Sequence, residues 1–232
     1  MARVLTHGIW PERFRRNYGL LAPLTQIRLL ELPIFVAGCG GLGGEMAAKL
    51  VRLGAGRLRL CDQDRFEESN LNRQRFCVEA ALGQEKALVT ASALKAMASW
   101  GDYEPRVIRL DPENIDSLIA DCEIVIDCLD SVEGKKMLEQ AAVRVGKVFL
   151  HGAVLHEECL AFLSQPADGA LSRMYARESR ACGAGSVLGH VVSGAAALMC
   201  ALFVNWLSGR AASSRLLHCD FSAPGLALYE LP

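Results

Sequence analysis

The segment 33–43, PIFVAGCGGLG, joins a short apolar run to a cluster of glycines. Residues 33–37 are apolar without interruption, which predicts a buried strand. Residues 42–53 then place apolar side chains at 42, 46, 50 and 53, a spacing typical of a helix. Residues 38–43 therefore match G-x-G-x-x-G at a strand-to-helix turn. Glycine lets the backbone approach a phosphate there, and the helix N-terminus favours its negative charge.

Strands and helices alternate along most of the chain that follows this turn. Apolar or alternating runs predict strands at 57–61, 105–110, 123–128 and 147–151, and helical spacing predicts helices at 84–100, 115–120 and 132–145. This order predicts an α/β fold with a Rossmann-like, mainly parallel sheet and helices on both faces. Runs at 159–164, 214–221 and 225–231 predict antiparallel strands that extend the sheet, whereas 165–185 is polar and predicted to be irregular.

The overall composition fits one large folded domain. The chain has 232 residues, 51% of them apolar, and a formal net charge of −1. These values exclude a disordered chain and a strongly nucleic-acid-seeking protein. We expect a single domain over 1–232, with an N-terminal helical segment at about 8–30, a nucleotide-binding core at about 31–155 and a C-terminal extension at about 156–232.

The N-terminal residues and the cysteines indicate in which cellular compartment we expect the protein and whether it binds zinc. The start, MARVLTHGIWPERFRR, has no apolar stretch behind its basic residues, so we expect no secretory signal. The nine cysteines are scattered without a C-x-x-C pair. We therefore expect no structural zinc, and reduced thiols in a cytoplasm.

One apolar segment, 187–207, contains no charged residue and is long enough to cross a bilayer. Polar residues at His190, Ser193 and Asn205 interrupt it. A helix that is apolar on all sides can also be buried in a core or a dimer interface. We predict a buried helix and no membrane span.

A carboxylate follows the second predicted strand at Asp62, 24 residues after Gly38. An acid at this place can accept hydrogen bonds from the hydroxyl groups of a ribose. The glycine turn and this acid together fit a nicotinamide or flavin enzyme as well as an ATP enzyme. A glycine turn needed only for packing is the remaining alternative.

The polar stretch 64–76, DRFEESNLNRQRF, separates these alternatives. Hydride transfer builds no phosphate charge, whereas Arg73 and Lys86, with Asn70 and Gln74, suit a triphosphate. Asp130 ends the fourth predicted strand on the same edge of the sheet as the glycine turn. A carboxylate there could hold Mg²⁺ against the phosphates.

Four motifs of this chain resemble those of the ThiF/MoeB/HesA superfamily, the bacterial relatives of ubiquitin-activating enzymes. They are GCGGLG (38–43), D-x-D-x-x-x-x-S-N-L-N-R-Q (62–74), G-x-x-K (83–86) and D-C-x-D (127–130). The segment ERFRRNYGLLAPLTQIRLL before them and CGAGSVLGHVVSGAAALMCALFVNWLSG after them also resemble this family. The resemblance therefore covers nearly the whole chain.

The resemblance implies an ATP- and Mg²⁺-dependent adenylyltransferase. Such enzymes join AMP to the C-terminal glycine of a small β-grasp sulfur-carrier protein that ends in Gly-Gly and release pyrophosphate, in thiamine, molybdopterin or tungstopterin supply. Matching positions imply a nucleotide site, with Asp62 on the ribose, Mg²⁺ on Asp130 and catalysis by Arg73, Lys86 and Asp130. Its full set is Gly38, Gly40, Gly41, Leu42, Gly43, Asp62, Asp64, Asn70, Arg73, Gln74, Lys86 and Asp130.

Three further expectations concern residues outside this set. The resemblance implies a homodimer in which Arg16 reaches the triphosphate of the neighbouring subunit. It also makes Cys182 a candidate for a covalent intermediate, although the C-G-A-G spacing is one residue shorter than the usual pattern. A C-terminal carboxylate is already ionised and needs no general base. We therefore assign His151 and His190 core or interface roles.

Other functions stay open at this point. A tRNA threonylcarbamoyladenosine dehydratase-like enzyme would keep the family but change the substrate, and it would need a basic face for nucleic acid. An NAD-dependent oxidoreductase would use the glycine turn without a triphosphate. A scaffold without turnover would have no use for Arg73, Lys86 and Asp130.

Overall fold

One sheet organises the chain in the computed structural model, which describes residues 1–166, 168–175, 185–210, 215–223 and 225–230. Within these residues the spatial order of the strands is β3-β2-β1-β4-β5-β6-β7-β8. Strands β1 to β5 pair in parallel, and β6 to β8 continue the sheet in antiparallel fashion. The strands are β1 (Pro33–Ala37), β2 (Arg57–Cys61), β3 (Asp102–Arg106), β4 (Ile124–Asp127), β5 (Val148–Leu155), β6 (Glu158–Ser164), β7 (Arg215–Asp220) and β8 (Gly225–Glu230).

Helices cover both faces of this sheet. They are α1 (Ala2–Thr6), α2 (Pro23–Glu31), α3 (Gly41–Leu53), α4 (Lys86–Met97), α5 (Ile115–Ile119), α6 (Val132–Arg144), α7 (Ala170–Met174) and α8 (Gly189–Leu207). Helices α3, α4 and α8 share one apolar core, and α5, α6 and α7 share the other. Strand β1 sends Ile34 and Val36 into the first core and Phe35 into the second. The predicted fold class is confirmed.

The third strand lies at Asp102–Arg106, so its predicted position at 105–110 was wrong. Because β3 is an edge strand, it buries only one side chain deeply, Tyr103, and tolerates Pro105, which lacks an N–H. Val107 and Ile108, the apolar pair behind the prediction, lie in the following loop and are 46% and 40% exposed.

Two helices also differ from their predictions, and distant contacts explain both. Helix α4 begins two residues later than predicted because Glu85 forms a β-bridge with Arg65. Helix α7 occupies part of the segment predicted to be irregular. The buried Glu139 carboxylate on α6 accepts hydrogen bonds from the backbone N–H groups of Leu171 and Ser172. This acceptor lies 32 residues before Leu171, so no local pattern could reveal it.

The long apolar helix α8 packs one face against α3, β5 and β6. Met199 and Phe203 are fully buried on that face, whereas Ala197, Ala201 and Asn205 form an exposed stripe on the other. By length and composition alone the helix could cross a membrane. Its packing shows that one face belongs to the core, which agrees with the prediction of a buried helix.

The burial of α8 can be tested with a pair of matched substitutions. Leu202→Ala should lower the free energy of unfolding by about 2–5 kcal/mol, because the side chain is buried in the core. Leu188→Ala, at the half-exposed start of the helix, should change it by less than about 1 kcal/mol. Urea unfolding measures both. Small and equal effects would contradict the packing of α8.

Candidate nucleotide-binding site

The glycine turn after β1 is held by contacts that only glycine permits. A Cβ on Gly43 would lie 1.8 Å from the Gly38 carbonyl oxygen, and a Cβ on Gly38 would lie 2.7 Å from the Cys128 carbonyl oxygen. Gly38 also has a φ of +90°, which disfavours other residues. A Cβ on Gly40, in contrast, would meet only the Gln74 amide at 3.6 Å. The fold therefore requires Gly38 and Gly43, whereas Gly40 leaves its backbone open to a ligand.

Asp62 joins this turn to the end of β2. Its carboxylate accepts hydrogen bonds from the backbone N–H groups of Cys39, at 2.7 Å, and Asp64, at 2.8 Å. Burial raises the pKa of Asp62, and the two N–H donors and Lys86 offset this only in part. A ribose hydroxyl would add a further donor to a carboxylate that is short of them. The predicted ribose acid thus lies beside the glycine turn.

The predicted phosphate residues of the stretch 64–76 lie on a turn that packs against the glycines. A Cβ on Gly41 would be 3.4 Å from the Arg73 carbonyl oxygen, and Gln74 lies over Gly40. The Arg73 guanidinium donates to the Ser69 carbonyl and to Asn72 Oδ1, both at 2.9 Å.

Gln74 and Asn70 differ in how their amides are used within this turn. Gln74 is buried, and its Oε1 has no hydrogen-bond partner. Rotation of that amide by 180° would present an N–H donor at this position instead. Asn70 is buried too, and its Oδ1 accepts from the Glu67 N–H at 3.2 Å. Asn70 therefore holds the turn itself.

Lys86 is the second cation of the site and begins helix α4. It is 8% exposed, and its ammonium lies 3.3 Å from the Asp64 carboxylate, which is 56% exposed. Its backbone N–H donates to the Asp64 carbonyl at 2.9 Å. Asp64 thus orients the lysine next to Asp62, and its exposed carboxylate can turn away when a triphosphate takes the ammonium.

Asp130 lies on the loop between β4 and α6, on the same edge of the sheet. The strand order changes direction between β1 and β4, and ligands bind α/β sheets at such a point. The Asp130 side chain is exposed and makes no hydrogen bond or ion pair with the described residues. One free carboxylate together with substrate phosphates is a usual environment for Mg²⁺. The residue therefore suits the metal role predicted for it.

A buried cluster behind this loop was missed. Asp127, Lys135 and His151 are at most 2% exposed. Asp127 Oδ2 lies 3.3 Å from the Lys135 ammonium and 2.6 Å from His151 Nδ1. His151 is thus buried as predicted, but it is hydrogen-bonded. The parallel register of β4 and β5 brings Asp127 beside His151, and a strand-terminal acid in need of a buried partner was the available clue.

Three other predicted positions lie outside this assembly. Arg16 belongs to a 3₁₀ helix at Glu12–Asn17, where Asn17 donates to the Leu53 carbonyl at the far end of α3. Helix α3 has 13 residues and begins at Gly41, so its far end lies about 20 Å from the glycine turn. His190 is exposed beside Phe221, so the core role was wrong for it, and the alternative of an interface role stays a prediction. Cys182 lies outside the described residues.

Comparison with known proteins identifies the family. The sequence profile described as "ThiF family" matches residues 14–225, nearly the whole chain. The chain belongs to the ThiF family. The matched range includes the glycine turn, the 62–74 stretch and the apolar helix α8, which are the segments that carried the resemblance.

Curated relatives of this ThiF-family chain are longer proteins. The "Sulfur carrier protein ThiS adenylyltransferase" of Bacillus subtilis (strain 168) is 34% identical over 151 residues, which are 64% of this chain and 45% of that protein. The "Adenylyltransferase and sulfurtransferase MOCS3" of Xenopus laevis is 35% identical over 152 residues, 64% of this chain and 34% of that protein. The chain thus spans about a third to a half of these relatives.

Solved structures show the same ThiF-type fold. The crystal structure of E. coli MccB with ATP covers 96% of this chain and 72% of its own, with a TM-score of 0.81 and 18% sequence identity. The structure of PaaA covers 94% of this chain and 82% of its own, with a TM-score of 0.76 and 18% identity. At these identities the likeness establishes the fold alone.

The two kinds of glycine in the turn should behave differently when each is replaced by alanine. Gly43→Ala should destabilise the fold severely, because its Cβ collides with the backbone of Gly38. Gly40→Ala should keep a melting temperature within a few degrees of wild type, yet weaken ATP binding at least about tenfold, because a methyl group fills the phosphate approach. Calorimetric titration with ATP and thermal unfolding measure the two effects. Unchanged ATP affinity in Gly40→Ala would contradict this site.

Proposed function

We propose that this chain is an ATP-dependent adenylyltransferase that activates the C-terminal glycine carboxylate of a small β-grasp sulfur-carrier protein. The observation that carries the proposal is that the backbone of Arg73 packs against the glycine turn while Lys86 lies beside Asp62 at the end of the next strand. The names of the relatives, a ThiS adenylyltransferase and MOCS3, support the reaction and the carrier. The MccB structure with ATP supports the nucleotide.

The reaction brings two anions together. A carboxylate oxygen of the carrier attacks the α-phosphorus of ATP, a P–O bond forms there, and the bond to the β-phosphate oxygen breaks, releasing pyrophosphate. Arg73 and Lys86 offset the repulsion between the reactants and stabilise the charge that gathers on pyrophosphate. The carboxylate is ionised near neutral pH, so no side chain has to remove a proton.

Asp130 would hold Mg²⁺, which would supply positive charge next to the phosphates. Its exposed and unpaired carboxylate supports this role. Asp62 would accept hydrogen bonds from the ribose, and the first-turn N–H groups of α3 would face the phosphates. We place the enzyme in the cytoplasm, in the supply of sulfur for thiamine or for a pterin cofactor.

Pyrophosphate exchange tests the reaction. With ATP, Mg²⁺ and a ThiS- or MoaD-like carrier ending in Gly-Gly, the wild-type protein should exchange labelled pyrophosphate into ATP. Arg73→Ala and Lys86→Ala should each lower the exchange rate about 10²–10³-fold, because each removes a donor to the transferring phosphates.

Neighbouring basic residues provide matched controls. Arg75→Ala and Lys49→Ala remove side chains that pair with Glu45 instead, and both should keep wild-type exchange. Exchange that needs a modified tRNA instead of a carrier would favour the dehydratase-like alternative. Binding of NAD(H) without ATP would support an oxidoreductase.

A homodimer is part of the proposal. Arg16 is exposed, has no ion-pair partner among the described residues, and lies at the far end of α3 from the glycine turn of its own subunit. It therefore cannot contact its own triphosphate without unfolding the segment that carries it. Exposed apolar side chains at Leu20 and Leu24, beside Arg16, are 79% and 77% exposed and supply a surface for a second copy.

Mixing two inactive variants tests the contribution of Arg16. Arg16→Ala and Arg73→Ala homodimers should each be nearly inactive. If Arg16 serves the neighbouring site, a heterodimer has one intact site out of two, so a re-equilibrated equimolar mixture should regain about a quarter of wild-type exchange. No recovery in a mixture proven to contain heterodimers would contradict the role of Arg16 across the interface.

A further inference from the structure

The buried cluster of Asp127, Lys135 and His151 lies directly behind the loop that carries Asp130. None of its members is used in the reaction described above. Burial would raise the pKa of Asp127, but the Lys135 ammonium and the His151 hydrogen bond outweigh it, and the pKa is lowered. Burial and Lys135 lower the pKa of His151 despite Asp127. The cluster therefore holds one anion, one cation and a neutral histidine that donates from Nδ1.

Both oxygens of Asp127 have assigned partners. Oδ2 accepts hydrogen bonds from the Lys135 ammonium and from His151 Nδ1, while Oδ1 accepts one from the backbone N–H of Leu129 at 3.0 Å. Lys135 also donates to the Gly152 carbonyl of β5 at 3.1 Å. The cluster thus ties the loop after β4 to both α6 and β5.

The loop between Asp127 and Asp130 is restrained at each residue. The Cys128 N–H donates to the Ala37 carbonyl at 2.9 Å, and the Cys128 carbonyl lies against Gly38. Ser131 then caps α6 by accepting from the Gly134 N–H. The Leu129 N–H donates its hydrogen bond to the Asp127 side chain, and the orientation of that side chain depends on Lys135 and His151.

We propose that Lys135 and His151 are positioning residues, which orient Asp127 so that it fixes the 128–130 turn and places the Asp130 carboxylate at the metal-bound triphosphate. This inference rests on the proposed function of Asp130. A buried ion pair is weak support for a purely stabilising role, since apolar side chains of similar volume often serve stability as well. Retaining three polar groups here is explained by the defined orientation that they impose on Asp127.

Asp127→Asn tests the proposal without changing the side-chain volume. Asparagine has one oxygen in place of two, so it cannot accept from both Lys135 and Leu129. The Mg²⁺ concentration for half-maximal exchange should rise about tenfold and the maximal rate should fall about 30-fold, the range expected when a group behind a metal ligand is lost. Calorimetry of Mg²⁺-dependent ATP binding should show the same shift.

Glu139→Gln is the matched control. It neutralises a buried carboxylate on α6, the helix that also carries Lys135, and its partners Leu171 and Ser172 belong to α7 and not to the Asp130 loop. It should lower the melting temperature to a similar degree yet leave the Mg²⁺ dependence unchanged. An equal Mg²⁺ shift in Glu139→Gln, or a wild-type Mg²⁺ dependence in Asp127→Asn, would overturn the proposal.

Two further conditions keep the test decisive. If Asp127→Asn does not fold, Lys135→Gln takes its place, and an unchanged Mg²⁺ dependence in that variant overturns the proposal as well. If the wild-type protein binds ATP with Mg²⁺ but exchanges no pyrophosphate with any carrier, the proposed function fails. The calorimetric shift still decides the role of the cluster in that case.

Discussion

The approach of three backbone segments at Gly38 and Gly43 is the constraint on which the rest of the structure depends. The Gly38 carbonyl occupies the space of a side chain on Gly43, and the Cys128 carbonyl occupies that of a side chain on Gly38. Strand β1, helix α3 and the loop after β4 can therefore meet only when both positions lack a Cβ. This contact brings the start of α3, Asp62 and the Asp130 loop to one edge of the sheet, where a nucleotide can reach all three.

The charged groups around this edge follow two different designs. Lys86 pairs with an exposed acid, and Arg73 donates to its own turn, so an incoming triphosphate can replace these partners at little desolvation cost. Lys135 pairs with an acid that is completely buried, and exchange of that partner would leave a charge unpaired in the core. Cations such as Lys86 and Arg73, whose partners can be exchanged, suit ligand binding. A cation with a buried partner, such as Lys135, suits the orientation of a neighbouring loop.

Local pattern predicted the elements that are both buried and bounded by glycine. Strands β1 and β2 were placed to the residue, β1 because a central strand needs continuous apolar side chains and β2 because its leucines alternate with arginines. The edge strand β3 was misplaced, since one buried tyrosine is enough to hold it. Helix α7 was missed because the acid that stabilises its first turn comes from α6. The glycine turn, Asp62, Arg73 and Lys86 could be singled out because each belongs to a motif with a fixed spacing, and their roles stay predictions.

The sequence by itself determined the fold class, the family and the motif residues that meet at one edge of the sheet, because glycine conformation, apolar periodicity and motif spacing are local properties. Only the tertiary structure decided which buried residues pack against this edge and how far Arg16 lies from it. The pairing of Asp127 with Lys135 and His151 depends on strand register and helix packing, and the distance of Arg16 from its own glycine turn depends on the length and direction of α3. These contacts and distances involve residues that are far apart in the chain, so they depend on how the core packs and no local sequence pattern reveals them.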